Sequence, residues 1–145
     1  MGQDISETLN AFPKTRPPLT GAHRKVYERE YLLNRGDGGG FLYDLIAKLE
    51  AWSHKQIATR KGPGPVLEIG PGTLNQIPYE DTDYDYDIVE PSDFFYKNSP
   101  HKDRISKVYK DISEMDLGNT PYERIFTKGV LEHVSDLPAL IARSA

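Results

Sequence analysis

Cysteine is absent from all 145 residues, which excludes disulfides, thiolate metal sites and cysteine nucleophiles and fits a reducing, cytoplasmic setting. No apolar run approaches bilayer-spanning length, and Met1-Gly2-Gln3-Asp4 lacks the basic-then-apolar order of a secretory signal, so no membrane partner is expected. Met1-Gly2 followed by Ser6 fits a loose myristoylation pattern, too short to separate from chance. Excess positive charge is missing as well. With 18 Lys and Arg against 22 Asp and Glu the net charge is -4, and no nucleic-acid partner is expected. What is present is 37% hydrophobic and 28% charged, enough for one modest core with polar flanks.

Residues 1–21 carry Pro13, Pro17 and Pro18 and read as an extended N-terminal arm. A helical segment over 22–60 follows. Val26, Tyr27, Tyr31 and Leu32 recur at near-helical spacing, and Arg35-Gly36-Asp37-Gly38-Gly39-Gly40 then breaks the period. No strand feeds these glycines, so they read as an interhelical loop and not a phosphate cradle. From Phe41 to Ala58 the residues Leu42, Leu45, Ile46, Leu49 and Trp52 form a helical stripe expected to pack on a sheet. His54, with no second ligand at i+4, is expected in solvent near the helix C-terminus.

The organising stretch is Pro65-Val66-Leu67-Glu68-Ile69-Gly70-Pro71-Gly72-Thr73-Leu74-Asn75. Here a short apolar strand ends in a carboxylate and breaks into glycines, as a buried parallel strand does when its backbone must approach a ligand. A second strand, Tyr86 to Glu90, places an acid about twenty residues on, where a nucleotide-binding α/β fold holds a ribose. A short helix over Pro91–Lys97 with Ser92 as cap, a strand over Ile105–Lys110 ending at Asp111, and a strand over Glu123–Thr127 come next. A last helix is capped by Ser135 or Asp136, with Leu137, Leu140 and Ile141 on one face. Strands alternating with helices imply a parallel sheet with right-handed crossovers.

Taken in order, Val66–Thr73, Asp87-Ile88-Val89-Glu90-Pro91, Lys110-Asp111-Ile112-Ser113 and Gly129-Val130-Leu131-Glu132-His133-Val134 resemble the front half of a class I S-adenosylmethionine-dependent methyltransferase. Gly72-Thr73-Leu74-Asn75 with Ile88-Val89-Glu90-Pro91 further resembles bacterial members that act on glycans or other small molecules. The resemblance implies a Rossmann-like α/β domain over 61–145, a parallel sheet with flanking helices, and S-adenosylmethionine as cofactor. Glu68, Gly70 and Gly72 would face its methionine portion, with Glu68 near the ammonium. Glu90 would accept from the ribose hydroxyls, Asp111 from the adenine amine, and the Ile112 amide would face a ring nitrogen. An acid-rich pocket matches a ligand carrying a sulfonium.

Methyl transfer mainly requires alignment, and a hydroxyl acceptor adds the need for a base. His133 is the catalytic candidate, set against a purely structural role bonding its loop. Tyr27 and Tyr31 are open to closing over the cofactor or to plain packing. Two departures from the family pattern stand out: Leu74 occupies a position where a third glycine is common, and Pro78 shortens the helix that follows.

The family domain normally continues into further strands, so the chain is expected to be truncated after its fourth strand and helix. That would leave a sheet edge open to self-association. Two other readings remain: a non-catalytic fragment binding the cofactor or a partner, and an NAD-dependent oxidoreductase, whose fingerprint needs a glycine where Asn75 stands.

Overall fold

Gly64-Pro65 delimits the start of the first strand and Gly70 its end, so β1 is confined to Val66–Ile69, all four residues buried. The structure is a computed structural model describing residues 20–34, 40–60, 62, 64–115 and 122–144. Three further strands, β2 (Tyr86–Val89), β3 (Lys107–Tyr109) and β4 (Arg124–Thr127), complete a sheet of order β3-β2-β1-β4. Every pairing is parallel, with Val66 opposite both Tyr86 and Arg124 and Asp87 opposite Lys107. The chain thus builds outward from β1 to β3, then returns to the far side of β1. That reversal opens a crevice outside the C-terminal ends of β1 and β4. The arrangement is the α/β fold with a parallel sheet that the alternating pattern predicts.

Strand alternation sorts the core into two faces. Val66 packs with Leu74, Ile77, Tyr86 and Ile88 on one. Leu67 and Ile69 pack with Val89, Met115 and Leu140 on the other. Leu140 belongs to α3 (Leu137–Ser144), whose first turn is capped by Asp136 Oδ1 accepting from Ala139 N at 3.2 Å. Leu137 joins the same face, whereas Ile141, expected beside it, is exposed.

The chain forms two compact units, Met1–Glu50 and Ala51–Ala145. In the first unit α1 (Gly21–Asn34) begins with Thr20 Oγ1 accepting from His23 N at 3.3 Å. The second unit begins inside α2 (Phe41–Ala58). Within the second unit the end of the α2 stripe differs from expectation, since Trp52 is exposed. His54 differs too. It is buried, with Nδ1 2.7 Å from Gln76 Oε1 and its ring stacked on Tyr79 at 5.3 Å. The last turns of α2 therefore meet the sheet through polar side chains that hydropathy spacing does not register.

The helix expected over Pro91–Lys97 is a run of turns, closed by Lys97 N to Asp93 O at 2.9 Å. The segment after the glycine loop is equally short, a single 3-10 turn at Ile77–Tyr79 with Pro78 inside it. The N-terminal arm, apart from its last two residues, and Arg35 to Gly39 of the glycine loop lie outside the described residues.

Candidate functional site

Backbone shape defines the loop after β1. Gly70 (φ 69°) and Gly72 (φ 54°) both take left-handed geometry, which a side chain resists. Gly70 also donates its N–H to Val89 O at 2.9 Å, and a Cβ built on it would collide with Val130 Cγ2 in the loop after β4. Gly70→Ala should therefore cost about 2 kcal/mol, combining left-handed strain with overpacking. Chemical denaturation measures it; a change within 0.5 kcal/mol would contradict this packing.

Leu74 is the third left-handed residue of the loop (φ 67°) and the sole described non-glycine residue with positive φ. The position where the family pattern has a glycine thus keeps glycine-like backbone geometry while carrying a large side chain. That side chain is fully buried between Val66 and Ile77. Sequence reading flags the missing glycine and has no means of foreseeing that burial in the core holds the turn regardless.

Glu90 follows β2 directly and ties two strand tips together. Its carboxylate is only 5% exposed, accepts from Ser92 N at 3.1 Å, and takes a further hydrogen bond from the Gly72 backbone. Burial raises its pKa, opposed by these N–H donors and by the Lys110 ammonium. Gly72 and Glu90, predicted as parts of one site, are brought together.

Asp111 sits one strand further out. Its Oδ1 accepts from Ser113 N at 2.7 Å and so caps the 3-10 turn Ile112–Glu114. Hydrogen bonding to Ser113 lowers its pKa, which keeps an exposed carboxylate ionised. Ile112 is half-buried against the Leu67 cluster, with its backbone at the tip of β3.

Glu68 lies elsewhere than predicted. It is an interior residue of β1, 4% exposed, and its Oε2 accepts from the Tyr86 hydroxyl at 2.6 Å. Its side chain belongs to the face of Val66 and Tyr86, under the loop and not at its rim. Burial lifts its pKa to about 7, against the Tyr86 hydrogen bond and the nearby Lys128 and Arg124 charges.

His133 closes a 3-10 turn (Leu131–His133) after β4 with its ring exposed, Nε2 3.9 Å from Glu132 Oε1. It stands in the loop that abuts Gly70 through Val130, so it borders the crevice from the β4 side.

Sequence reading missed a polar cluster behind the site. Gln76 Nε2 donates to Glu80 Oε1 (2.6 Å) and to His54 O (3.1 Å), while Tyr84 OH donates to Glu80 Oε2 (2.6 Å). Arg124 bridges Glu80 Oε2 and, at 2.8 Å, the carbonyl of Ile57 near the end of α2. Lys128 Nζ, at the tip of β4, is 3.0 Å from His54 Nε2. The available signal was Gln76, Glu80, Arg124 and Lys128 standing close in sequence to the apolar residues Ile77, Ile125 and Phe126.

No group of His, Cys, Asp and Glu suited to a metal occurs among the described residues, and no described helix is long and apolar enough to cross a membrane. No protein-family model matches the chain, and comparison with curated proteins and with solved structures finds no match.

Proposed function

We propose that the chain is the S-adenosylmethionine-binding part of a class I, Rossmann-like methyltransferase acting on a small-molecule or sugar acceptor. The observation that carries this reading is the junction of Gly72 with Glu90: a left-handed glycine loop and a buried carboxylate, held together at neighbouring strand tips beside the point where strand order reverses.

The donors and acceptors present suit that cofactor. Glu90 offers acceptor positions to a ribose diol, and its bonds from Ser92 and Gly72 fix its orientation in advance. Asp111, kept ionised, keeps Oδ2 available for an exocyclic amine while Oδ1 serves Ser113. The bare backbone at Gly70 and Gly72 allows close approach of the methionine portion. Glu68, buried beneath the loop, would act on a cationic ligand through its field and not by direct contact.

When bound, S-adenosylmethionine supplies an electrophilic methyl group on a sulfonium. The chain's own contribution is alignment and desolvation at the crevice. His133, exposed at its β4 side, would be the group to take a proton from an acceptor hydroxyl. A second reading, binding without turnover, draws on that same exposure, since nothing in the described structure orients the imidazole towards Glu90 or Asp111.

Calorimetric titration with S-adenosylhomocysteine and with NAD tests the proposal. S-adenosylhomocysteine should bind, NAD should not, and Glu90→Ala should weaken S-adenosylhomocysteine binding about 10-fold or more while circular dichroism shows the fold retained. Equal affinity of parent and variant, or preference for NAD, would sink the reading. Binding by the parent with no methyl transfer to any sugar or small-molecule acceptor would favour the non-catalytic form.

A further inference from the structure

A cation stands at the tip of β4 with no carboxylate in contact among the described residues. Lys128 directly follows the strand, and its Nζ lies 3.0 Å from His54 Nε2. The roles at that contact follow from Gln76. Its Nε2 donates to Glu80 Oε1 and to His54 O, so the atom it presents 2.7 Å from His54 Nδ1 is Oε1, which can only accept. Nδ1 therefore carries the ring hydrogen, Nε2 keeps its lone pair, and the Lys128 ammonium donates to a neutral imidazole. His54 is buried with its ring stacked on Tyr79, so the acceptor is fixed in place. It orients the ammonium without cancelling its charge.

Arg124, at the start of the same strand, is closed off by Glu80, whereas no ion pair among the described residues includes Lys128. A half-buried ammonium held by an imidazole retains its full charge and further N–H donors. Partial removal from water makes an anion its natural complement.

Register puts this charge beside the glycine loop. Thr127 pairs with Ile69, so Lys128 stands level with Gly70, and Val130, two residues on, abuts Gly70 directly. Lys128 continues the row of Arg124 and Phe126, on the face shared with Val66 and Glu68, and its charge is felt at Glu68. The cation at the tip of β3, Lys110, lies on the far side of the sheet and is engaged with Tyr96 OH at 3.2 Å.

Granted the S-adenosylmethionine reading of the crevice, on which this assignment rests, we propose that Lys128 binds the α-carboxylate of the cofactor's methionine portion and that His54 positions its ammonium. The end of α2 thereby becomes part of the cofactor site. The methionine portion is a zwitterion. The acids assigned to the crevice match its ammonium and the sulfonium but repel its carboxylate, and a cation level with Gly70 supplies what they cannot.

The unaltered chain provides the first measurement. By calorimetric titration, S-adenosylhomocysteine should bind at least about 10-fold more tightly than its decarboxylated analogue, which keeps the adenosine, the thioether and the amine. Lys128→Met should weaken S-adenosylhomocysteine by about 10-fold, leave the analogue within about 2-fold, and so abolish the preference. Lys128→Arg, which keeps the charge, should retain most of it. His54→Leu removes the acceptor and leaves the ammonium; it should lower the preference by about 3-fold with the analogue again within about 2-fold, whereas a purely structural role would weaken both ligands alike.

Equal affinity of the parent for the two ligands would overturn the proposal. So would a Lys128→Met protein that keeps the preference or loses both ligands alike. In each of these cases the parent still binds S-adenosylhomocysteine, and the cofactor reading stands without this assignment. Binding of neither ligand by the parent removes that reading and the assignment together.

Discussion

Arg124→Ala should destabilise the chain by about 3–5 kcal/mol, the largest loss expected of any substitution considered. The guanidinium is 12% exposed and the Glu80 side chain not at all, so truncation leaves a carboxylate in the interior with only Gln76 and Tyr84 as donors. It also removes the side-chain donor to Ile57 O, near the end of α2, leaving that carbonyl only the 3.3 Å bond from Arg60 N. Urea denaturation of parent and variant gives the difference directly. The cause can be separated from lost packing with a double variant. Glu80→Gln with Arg124→Met removes both charges while keeping volume, and should recover most of the loss, since an apolar or neutral pair does not need the compensation that a lone buried ion does. If the double variant is as unstable as Arg124→Ala, the ion pair is not the source.

The second large effect is a pH dependence with an unusual sign. Glu68 has its pKa raised from 4.5 to about 7 by burial beside Tyr86. Between those values the folded chain holds a proton on Glu68 that the unfolded chain has released. The folded state thus binds more protons, and stability falls as pH rises through that window. It is fully spared the loss below the unfolded value and carries all of it above about pH 7. A displacement of this size corresponds to about 3 kcal/mol.

Glu68→Gln keeps an acceptor for the Tyr86 hydroxyl and removes the titration. The variant should be flat where the parent declines, and more stable than the parent by up to that amount at pH 8. Denaturation at pH 5, 6, 7 and 8 decides the matter, and parallel profiles for the two proteins would contradict the burial of an ionisable Glu68. The result bears on the site as well, because a cation arriving above the β1 loop would draw Glu68 towards its charged form and release a proton.

Which features were readable from the residues follows a physical divide. β1, β2 and β4 were legible because short apolar strands, buried in the first two and half-buried in the third, bounded by glycine, proline or acids have few alternatives, and Asp136 before Leu137-Pro138 is a strong start signal. That the glycine loop and Glu90 follow neighbouring parallel strands was legible from spacing. The end of α2 was not, because periodicity says that a face is apolar and is silent on what covers it; within the second unit Trp52 is exposed and His54 is buried instead. The role of Arg124 was invisible for a related reason. A charged residue opening a strand is ordinarily solvated, and only tertiary contact with Glu80, some forty residues away, makes it a core residue.

Leu74 bears on how much freedom a ligand must remove when it arrives. A glycine in that turn would sample many backbone states before folding and could rearrange afterwards, whereas a leucine anchored between Val66 and Ile77 has already surrendered that latitude to the core. Cofactor binding at this loop, as proposed, should therefore proceed with little ordering of the backbone. The penalty for adopting a rarely populated dihedral is met once, when the chain folds, and does not recur with each molecule captured.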